Sequence, residues 1–249
     1  TLYELSPYGV IGAITPSTNP AETLICNSIG MLAAGNAIFF SVHPGAKNLS
    51  RELVSELNQV IAKSIGIENL IVTLREPSIE SAQEMMLHPD VSLLVVTGGP
   101  GVVKQALQSG KKVIGAGAGN PPAFVDETAD IKKAAQDIVL GASLDNNILC
   151  IAEKSVVAMR QIEPQLVQEM VKAGCVLVDN QQDIQRLLDL TVLPNGTPNK
   201  QFVGKNASVI LDAAHIPYNG DPRLIIMRTP KDHPFAVSEM LMPIPVSYT

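Results

Sequence analysis

Three cysteines, Cys26, Cys150 and Cys175, are the strongest nucleophiles in this sequence, because a thiolate attacks an electrophilic carbon at neutral pH without a metal. Cys150 stands apart from the other two. It follows the polar turn Asp145-Asn146-Asn147 and precedes the β-branched pair Val156 and Val157, so it belongs on a loop beside a helix end. Backbone N–H groups at such a place can favour a thiolate and stabilise an oxyanion on its adduct. The plain alternative is a small buried hydrophobe, the usual fate of a free cysteine. No His or acid lies at a papain-like spacing from Cys150. Cys26 and Cys175 sit in apolar company and read as core.

Four other stretches carry groups suited to a ligand. Thr97-Gly98-Gly99-Pro100-Gly101 lies between an apolar β-branched run and a helical pattern, where glycines let a phosphate reach backbone N–H groups; a tight strand-to-helix turn would use the same residues. Gly115-Ala116-Gly117-Ala118-Gly119 suits a backbone passing closely under a flat ring, or a glycine linker between domains. Thr15-Pro16-Ser17-Thr18-Asn19 ends the first strand, the ligand edge of a parallel sheet, and could hold a carbonyl oxygen or phosphate; it also reads as a helix-entry turn. His43 and Pro44 close the second strand, where dinucleotide sheets meet the adenosine ribose, although a lone His there is commonly a surface residue. Glu239 is one carboxylate in an apolar tail, so it must face solvent or a polar partner.

The elements that would position these groups alternate in type. Val10–Thr15, Ala37–Val42, Leu70–Leu74, Ser92–Thr97 and Lys112–Gly115 read as strands. Between them lie helical patterns at Glu22–Ala34, with Ile25, Ile29, Leu32 and Ala33 at helical spacing, at Lys47–Ile65, at Ser81–Leu87, with Ser81 and Glu84 as a possible capping box, and at Val102–Gln108. That order predicts an α/β fold with a doubly wound parallel sheet. After Gly119-Asn120-Pro121-Pro122 the alternation restarts, with strands Ala123–Val125, Ser155–Met159, Cys175–Val178 and Leu224–Met227, and helices Ile131–Leu140, Glu163–Ala173 and Asp183–Leu190. Two domains are expected, 1–119 and 120–249.

Composition narrows the class. The 249 residues are 46% hydrophobic and 17% charged, which suits a globular protein with a large core. A net charge of -6 without a run of Lys or Arg argues against nucleic acid and an anionic membrane as partners. No apolar run approaches the roughly 20 residues of a membrane helix. An odd number of cysteines without a Cys-x-x-Cys pair indicates neither a disulfide framework nor a metal site, and fits a reducing cytoplasm. Thr1 in place of Met and the abrupt ending at Thr249 suggest a longer protein cut at both ends.

Taken in order, Gly9–Pro20, Leu94–Gly101, Gly115–Pro122 and Asp145–Cys150 resemble the aldehyde dehydrogenase superfamily, in its CoA-acylating branch of propionaldehyde and acetaldehyde dehydrogenases of propanediol and ethanolamine utilisation. The resemblance covers nearly the whole chain. It implies a Rossmann-like NAD-binding domain followed by an α/β catalytic domain, with Cys150 as nucleophile. It also implies that Thr97, Gly98, Gly99 and Gly101 lie by the NAD phosphates, His43 and Pro44 by the adenosine ribose, and Glu239 on the nicotinamide ribose. Thr15, Pro16, Ser17, Thr18 and Gly117 complete the expected cofactor contacts.

Two departures from the hydrolytic members bear on the product. Ala116 aligns with the glutamate that activates water against the thioester, so the resemblance favours transfer to coenzyme A over hydrolysis. Thr18 aligns with the oxyanion asparagine and Asn19 is one residue away, which leaves Asn19 and the Cys150 N–H as the oxyanion candidates. The implied activity is oxidation of a short-chain aldehyde to an acyl-CoA by an oxidoreductase that is homo-oligomeric at full length, cytoplasmic or enclosed in a bacterial microcompartment. The alternatives are a non-catalytic nucleotide-binding fragment and an enzyme releasing a free carboxylic acid. Since family members are longer, the chain alone is expected to be weakly active or inactive.

Overall fold

The computed structural model describes residues 6–248; Thr1 and Thr249 lie outside them. The chain divides into two compact units, Thr1–Ala118 and Gly119–Thr249, each an α/β sandwich.

The first unit runs β1 (Val10–Ile14), α1 (Pro20–Ala33), β2 (Ala37–Ser41), α2 (Lys47–Ile65), β3 (Ile71–Thr73), α3 (Ile79–Leu87), β4 (Val91–Thr97), α4 (Pro100–Leu107) and β5 (Lys112–Ala116). Its sheet is parallel throughout, in the order β3-β2-β1-β4-β5. Alternation along the strands feeds two cores. Ala13, Ile38 and Phe40 pack with Leu24 and Val54 of α1 and α2, while Ile14, Leu94 and Val96 pack with Met85, Met86 and Ala106 of α3 and α4. Helices on both faces make the sheet doubly wound, with strand order reversing at β1 and β4.

The second unit runs β6 (Pro122–Val125), α5 (Ile131–Ser143), β7 (Ser155–Ala158), α6 (Glu163–Lys172), β8 (Cys175–Leu177), α7 (Gln181–Thr191), α8 (Ala207–Ala213), β9 (Leu224–Arg228), α9 (Pro234–Val237) and β10 (Val246–Tyr248). Its sheet is also parallel, in the order β6-β7-β10-β9-β8. α5 and α6 cover one face through Ala135, Ile138, Leu166 and Met170; α7 and α8 cover the other through Ile184, Leu187, Ile210 and Leu211. Truncating Leu166, Leu187 or Leu211, all fully buried, would cost about 2–5 kcal/mol each.

Several expectations need correction. α1 starts at Pro20 rather than at the expected Glu22, because the fixed φ and missing N–H of proline suit the first helical position. The inward face of α1 carries Leu24 and Ser28, while Ile25 and Ile29 are exposed; Cys26, expected in the core, is exposed with them. The capping box of α3 joins Ser78 and Ser81: the Ser81 N–H donates to Ser78 Oγ at 3.1 Å, and the Ser78 N–H to Ser81 Oγ at 2.9 Å. Ile79 and Glu80 are already helical, so Ser81 is the third helical residue and cannot be the cap. β10 was not expected as a strand, yet it lies between β7 and β9 in the middle of its sheet.

Candidate functional site

Cys150 reaches its place through an unusual backbone. α5 ends at Ser143, and Asp145, Asn146 and Asn147 then take three successive left-handed conformations, φ 47°, 55° and 61°. Each such residue carries strain unless its surroundings hold it, and Asp and Asn tolerate it best among non-glycine residues. The bonds that hold the turn are visible. Asn146 Nδ2 donates to Gly204 O at 3.1 Å and Asn206 Oδ1 at 2.8 Å. The buried Asn147 Nδ2 donates to Ala142 O at 2.7 Å and Glu153 O at 2.9 Å. Beyond the turn, Cys150 is half-buried, and its neighbour Ile151 is 79% exposed. Among the described residues, no protein acceptor takes the Cys150 N–H, which leaves a backbone donor beside the sulfur.

Two more groups surround this loop. Gly119 comes so close that a Cβ there would fall 2.6 Å from the Cys150 carbonyl oxygen, so only glycine fits. Glu239, half-buried, lies within electrostatic reach of Lys154 and the Gly119 N–H. Burial pushes its carboxyl above the usual carboxylate range, and the Gly119 N–H and Lys154 oppose that. The Gly119 N–H acts through its dipole, since no hydrogen bond of ordinary geometry joins the two among the described residues. Glu239 Oε1 is buried without a partner, an acceptor free for a ligand hydroxyl.

In the first unit the expected cofactor residues gather at the carboxyl ends of β1, β2, β4 and β5. Thr15 follows β1 and is 3% exposed, with Oγ1 buried and unpartnered. Pro16 and Thr18 are half-buried and Ser17 exposed. Asn19 caps α1 without bonding a helix N–H; its Oδ1 accepts the Thr18 hydroxyl at 3.2 Å, which leaves its amide N–H groups as donors. His43 is exposed, and its Nδ1 accepts the Gly45 N–H at 3.1 Å over the short turn Pro44–Ala46. In the neutral ring this assigns the proton to Nε2, an outward donor.

Thr97 ends β4, and the Gly98 N–H donates to Ala116 O at 3.1 Å. A Cβ on Gly98 would meet Val102 Cγ1 at 2.8 Å, whereas Gly99, Gly101 and Gly117 face open space. Gly98 thus serves packing, and Gly99 with Gly101 leaves the N-terminus of α4 open to an anion. Within the first unit, the buried, unpartnered Thr15 Oγ1 and the open glycines fit a ligand with hydroxyls and phosphates such as a dinucleotide. Asn19 belongs to the first unit and Cys150 to the second. Among the described residues no group of three His, Cys, Asp or Glu could hold a metal ion, and no helix is long and apolar enough to cross a membrane.

The aldehyde dehydrogenase family profile matches residues 1–185. The chain belongs to the aldehyde dehydrogenase family. It is 51% identical over 244 residues to the CoA-propanoylating propanal dehydrogenase of Citrobacter freundii, a match covering 98% of this chain and 52% of that enzyme. The chain therefore spans about half the length of the curated relatives it matches. Among solved structures, propionaldehyde dehydrogenase of Rhodopseudomonas palustris, with bound CoA and an acylated cysteine, is 50% identical with a TM-score of 0.91 over 98% of this chain and 56% of that one. An engineered glycolyl-CoA reductase with bound NADP+ matches with 50% identity and a TM-score of 0.91 over the same shares.

Lys154 was not singled out in the sequence. It is 4% exposed, and its Nζ donates to Leu149 O at 2.7 Å and Asn147 O at 3.1 Å. A Lys two residues beyond Ala152, just before a β-branched run, carries no local sign of burial; only the packing reveals it.

Proposed function

We propose that this aldehyde dehydrogenase is CoA-acylating, oxidising a short-chain aldehyde with NAD and passing the acyl group from Cys150 to coenzyme A. The observation that carries the reading is Cys150 itself: a half-exposed thiol on a strained, firmly bonded turn, with an unengaged N–H at its own backbone. The acylated cysteine and bound CoA of the Rhodopseudomonas enzyme support it.

Cys150 Sγ adds to the aldehyde carbonyl, and the new oxyanion is taken by the Cys150 N–H, with the Asn19 amide as second donor. Glu239 Oε1 would accept a hydroxyl of the nicotinamide ribose. Thr15, Pro16, Ser17, Thr18, His43, Pro44, Thr97, Gly98, Gly99, Gly101 and Gly117 would hold the rest of the dinucleotide, with phosphate against the α4 N-terminus. When bound, the dinucleotide supplies the acceptor for the hydride. Loss of hydride leaves an acyl thioester on Cys150. At position 116, where hydrolytic members carry the base, the side chain is the methyl of Ala116, so water is not activated and the thiol of coenzyme A takes the acyl group.

Three free cysteines suit action in a reducing cytoplasm, and the branch suggests enclosure in a microcompartment and assembly as a homo-oligomer. The test, made on the full-length protein that contains this chain, is the rate of NADH formation from propionaldehyde with and without coenzyme A, with product analysis. Acyl-CoA formation that vanishes in Cys150→Ala is the expected result; equal rates without coenzyme A, with free acid as product, would replace this reading by the hydrolytic one.

A further inference from the structure

Lys154 takes no part in those steps, although it is a buried cation under the thiol loop. Its backbone is fixed on both sides: the Lys154 N–H donates to Pro121 O at 2.9 Å, and its carbonyl accepts the Val246 N–H at 3.3 Å. Its ammonium therefore approaches the loop from the rigid start of β7, and there it takes the carbonyls of Asn147 and Leu149, one on the strained turn and one next to Cys150. Burial lowers its pKa to about 8, against the attraction of Glu239, Cys150 and Glu153. Glu239 comes from the segment after α9, and the other two from the loop itself. A buried ammonium is costly, and a methionine of similar shape would fill the same space without that cost.

We propose that Lys154 is a positioning residue for the nucleophile: its ammonium fixes the carbonyls on either side of Ile148, and its charge attracts the negative sulfur with which Cys150 attacks. The proposal rests on Cys150 being the nucleophile. Lys154 touches neither substrate nor cofactor in it. Glu239 and Cys150 thus share one cation, which couples the carboxylate suited to the ribose to the sulfur that carries the acyl group.

The test measures alkylation of Cys150 by iodoacetamide in the intact protein, read by peptide mass, across pH 6 to 10, with thermal melts alongside. Variants are Lys154→Gln, Lys154→Met and, as a control for lost charge at the surface, Lys133→Met, whose lysine is exposed. The expected result is that Lys133→Met matches the wild type, while both Lys154 variants melt near the wild type and alkylate several-fold more slowly at pH 7. Ionisation of the thiol bends both profiles, so the readout is the ratio of wild-type to Lys154→Gln rates, which should be largest at pH 6–7 and shrink as the pH rises past about 8, where the ammonium is lost.

A folded Lys154→Gln that alkylates at the wild-type rate across the whole pH range overturns the proposal. If neither variant folds, the wild type decides: Cys150 should alkylate faster at pH 6–7 than the exposed Cys26, and a Cys150 no faster than Cys26 overturns it. Acyl label on Cys150 together with unaffected Lys154 variants removes this proposal alone; label on another residue removes the function assigned to Cys150 as well.

Discussion

Gly119 and the carbonyl of Cys150 are in such close approach that one methyl group between them would stand 2.6 Å from the oxygen. Real Cβ atoms do not tolerate that distance from backbone, and the Cys150 loop is itself bonded to Lys154, Ala142 and Gly204. The strain must move either Gly119 or the nucleophile. Gly119→Ala is expected to cost about 1–3 kcal/mol of stability by overpacking. Because misplacement of a reacting atom by about 1 Å costs on the order of a hundredfold in rate, kcat should fall far more than the melting temperature suggests. Steady-state kinetics beside a thermal melt check this, and wild-type kcat in the variant would show that the loop yields freely.

Ala116 closes β5 and is exposed, so a larger side chain there finds space. Ala116→Glu should leave stability within about 0.5 kcal/mol while placing a carboxylate where the proposed function puts the missing base. The expected outcome is NADH formation that no longer requires coenzyme A, with free acid as product. Chromatography of the products with and without coenzyme A reads it directly.

The three thiols should separate by environment. Cys26 is exposed, Cys150 half-buried and Cys175 buried, and burial pushes the Cys175 thiol up to about 12. Mass-resolved alkylation should modify Cys26 and Cys150 in the native protein and Cys175 only after denaturation. The same shift has a sign for stability. The native state keeps the Cys175 proton after the unfolded chain, with its pKa near 9.0, has lost it. Stability from this group is present below pH 9 and declines as pH rises towards 12. Urea melts at pH 8.5 and pH 10 should therefore show a steeper loss in the wild type than in Cys175→Ala.

The glycine stretches and the polar turn before Cys150 are legible in the sequence because each is a local pattern: consecutive residues of one type, at the end of an apolar run, dictate a turn wherever the chain goes next. The alternation of β-branched and helical periods gives both parallel sheets for the same reason. What escapes is set at long range. β10 is three residues long and earns its central place only by pairing with β7 and β9, which are distant in the chain. The face of α1 is chosen by what it packs on: Leu24 meets Ala13, Ile38 and Phe40, while Ile25 and Cys26 are exposed. Lys154 reads as an ordinary surface lysine until Pro121 and Val246 fix its backbone beneath the loop.

Glu239 is tested by its orphaned oxygen. Glu239→Gln keeps size and one acceptor but removes the charge that a ribose hydroxyl would meet, a change worth about 1.5–3 kcal/mol for a hydrogen bond to a charged group. Dinucleotide affinity should fall about tenfold or more on that scale, whereas alkylation of Cys150 without cofactor should persist. Calorimetric titration with NAD checks the first statement and mass-resolved labelling the second; unchanged affinity would exclude Glu239 from the cofactor site.

Asn147 separates the two demands made on the thiol loop. Its φ of 61° is a left-handed conformation, and its buried side chain donates to Ala142 O and Glu153 O. Asn147→Gly keeps the backbone conformation, which glycine adopts without strain, and loses both side-chain bonds. Asn147→Ala loses the bonds and adds the cost of a Cβ at positive φ, about 1–2 kcal/mol for a non-glycine residue. Both variants should be destabilised, since the Ala142 and Glu153 carbonyls lose a buried donor at about 1–3 kcal/mol, and Asn147→Ala should be the weaker of the two. If the turn's conformation is what presents Cys150, Asn147→Gly should alkylate at Cys150 closer to the wild-type rate than Asn147→Ala does. Equal alkylation in two variants of unequal stability would mean that the side-chain bonds, and not the left-handed backbone, set the position of the sulfur.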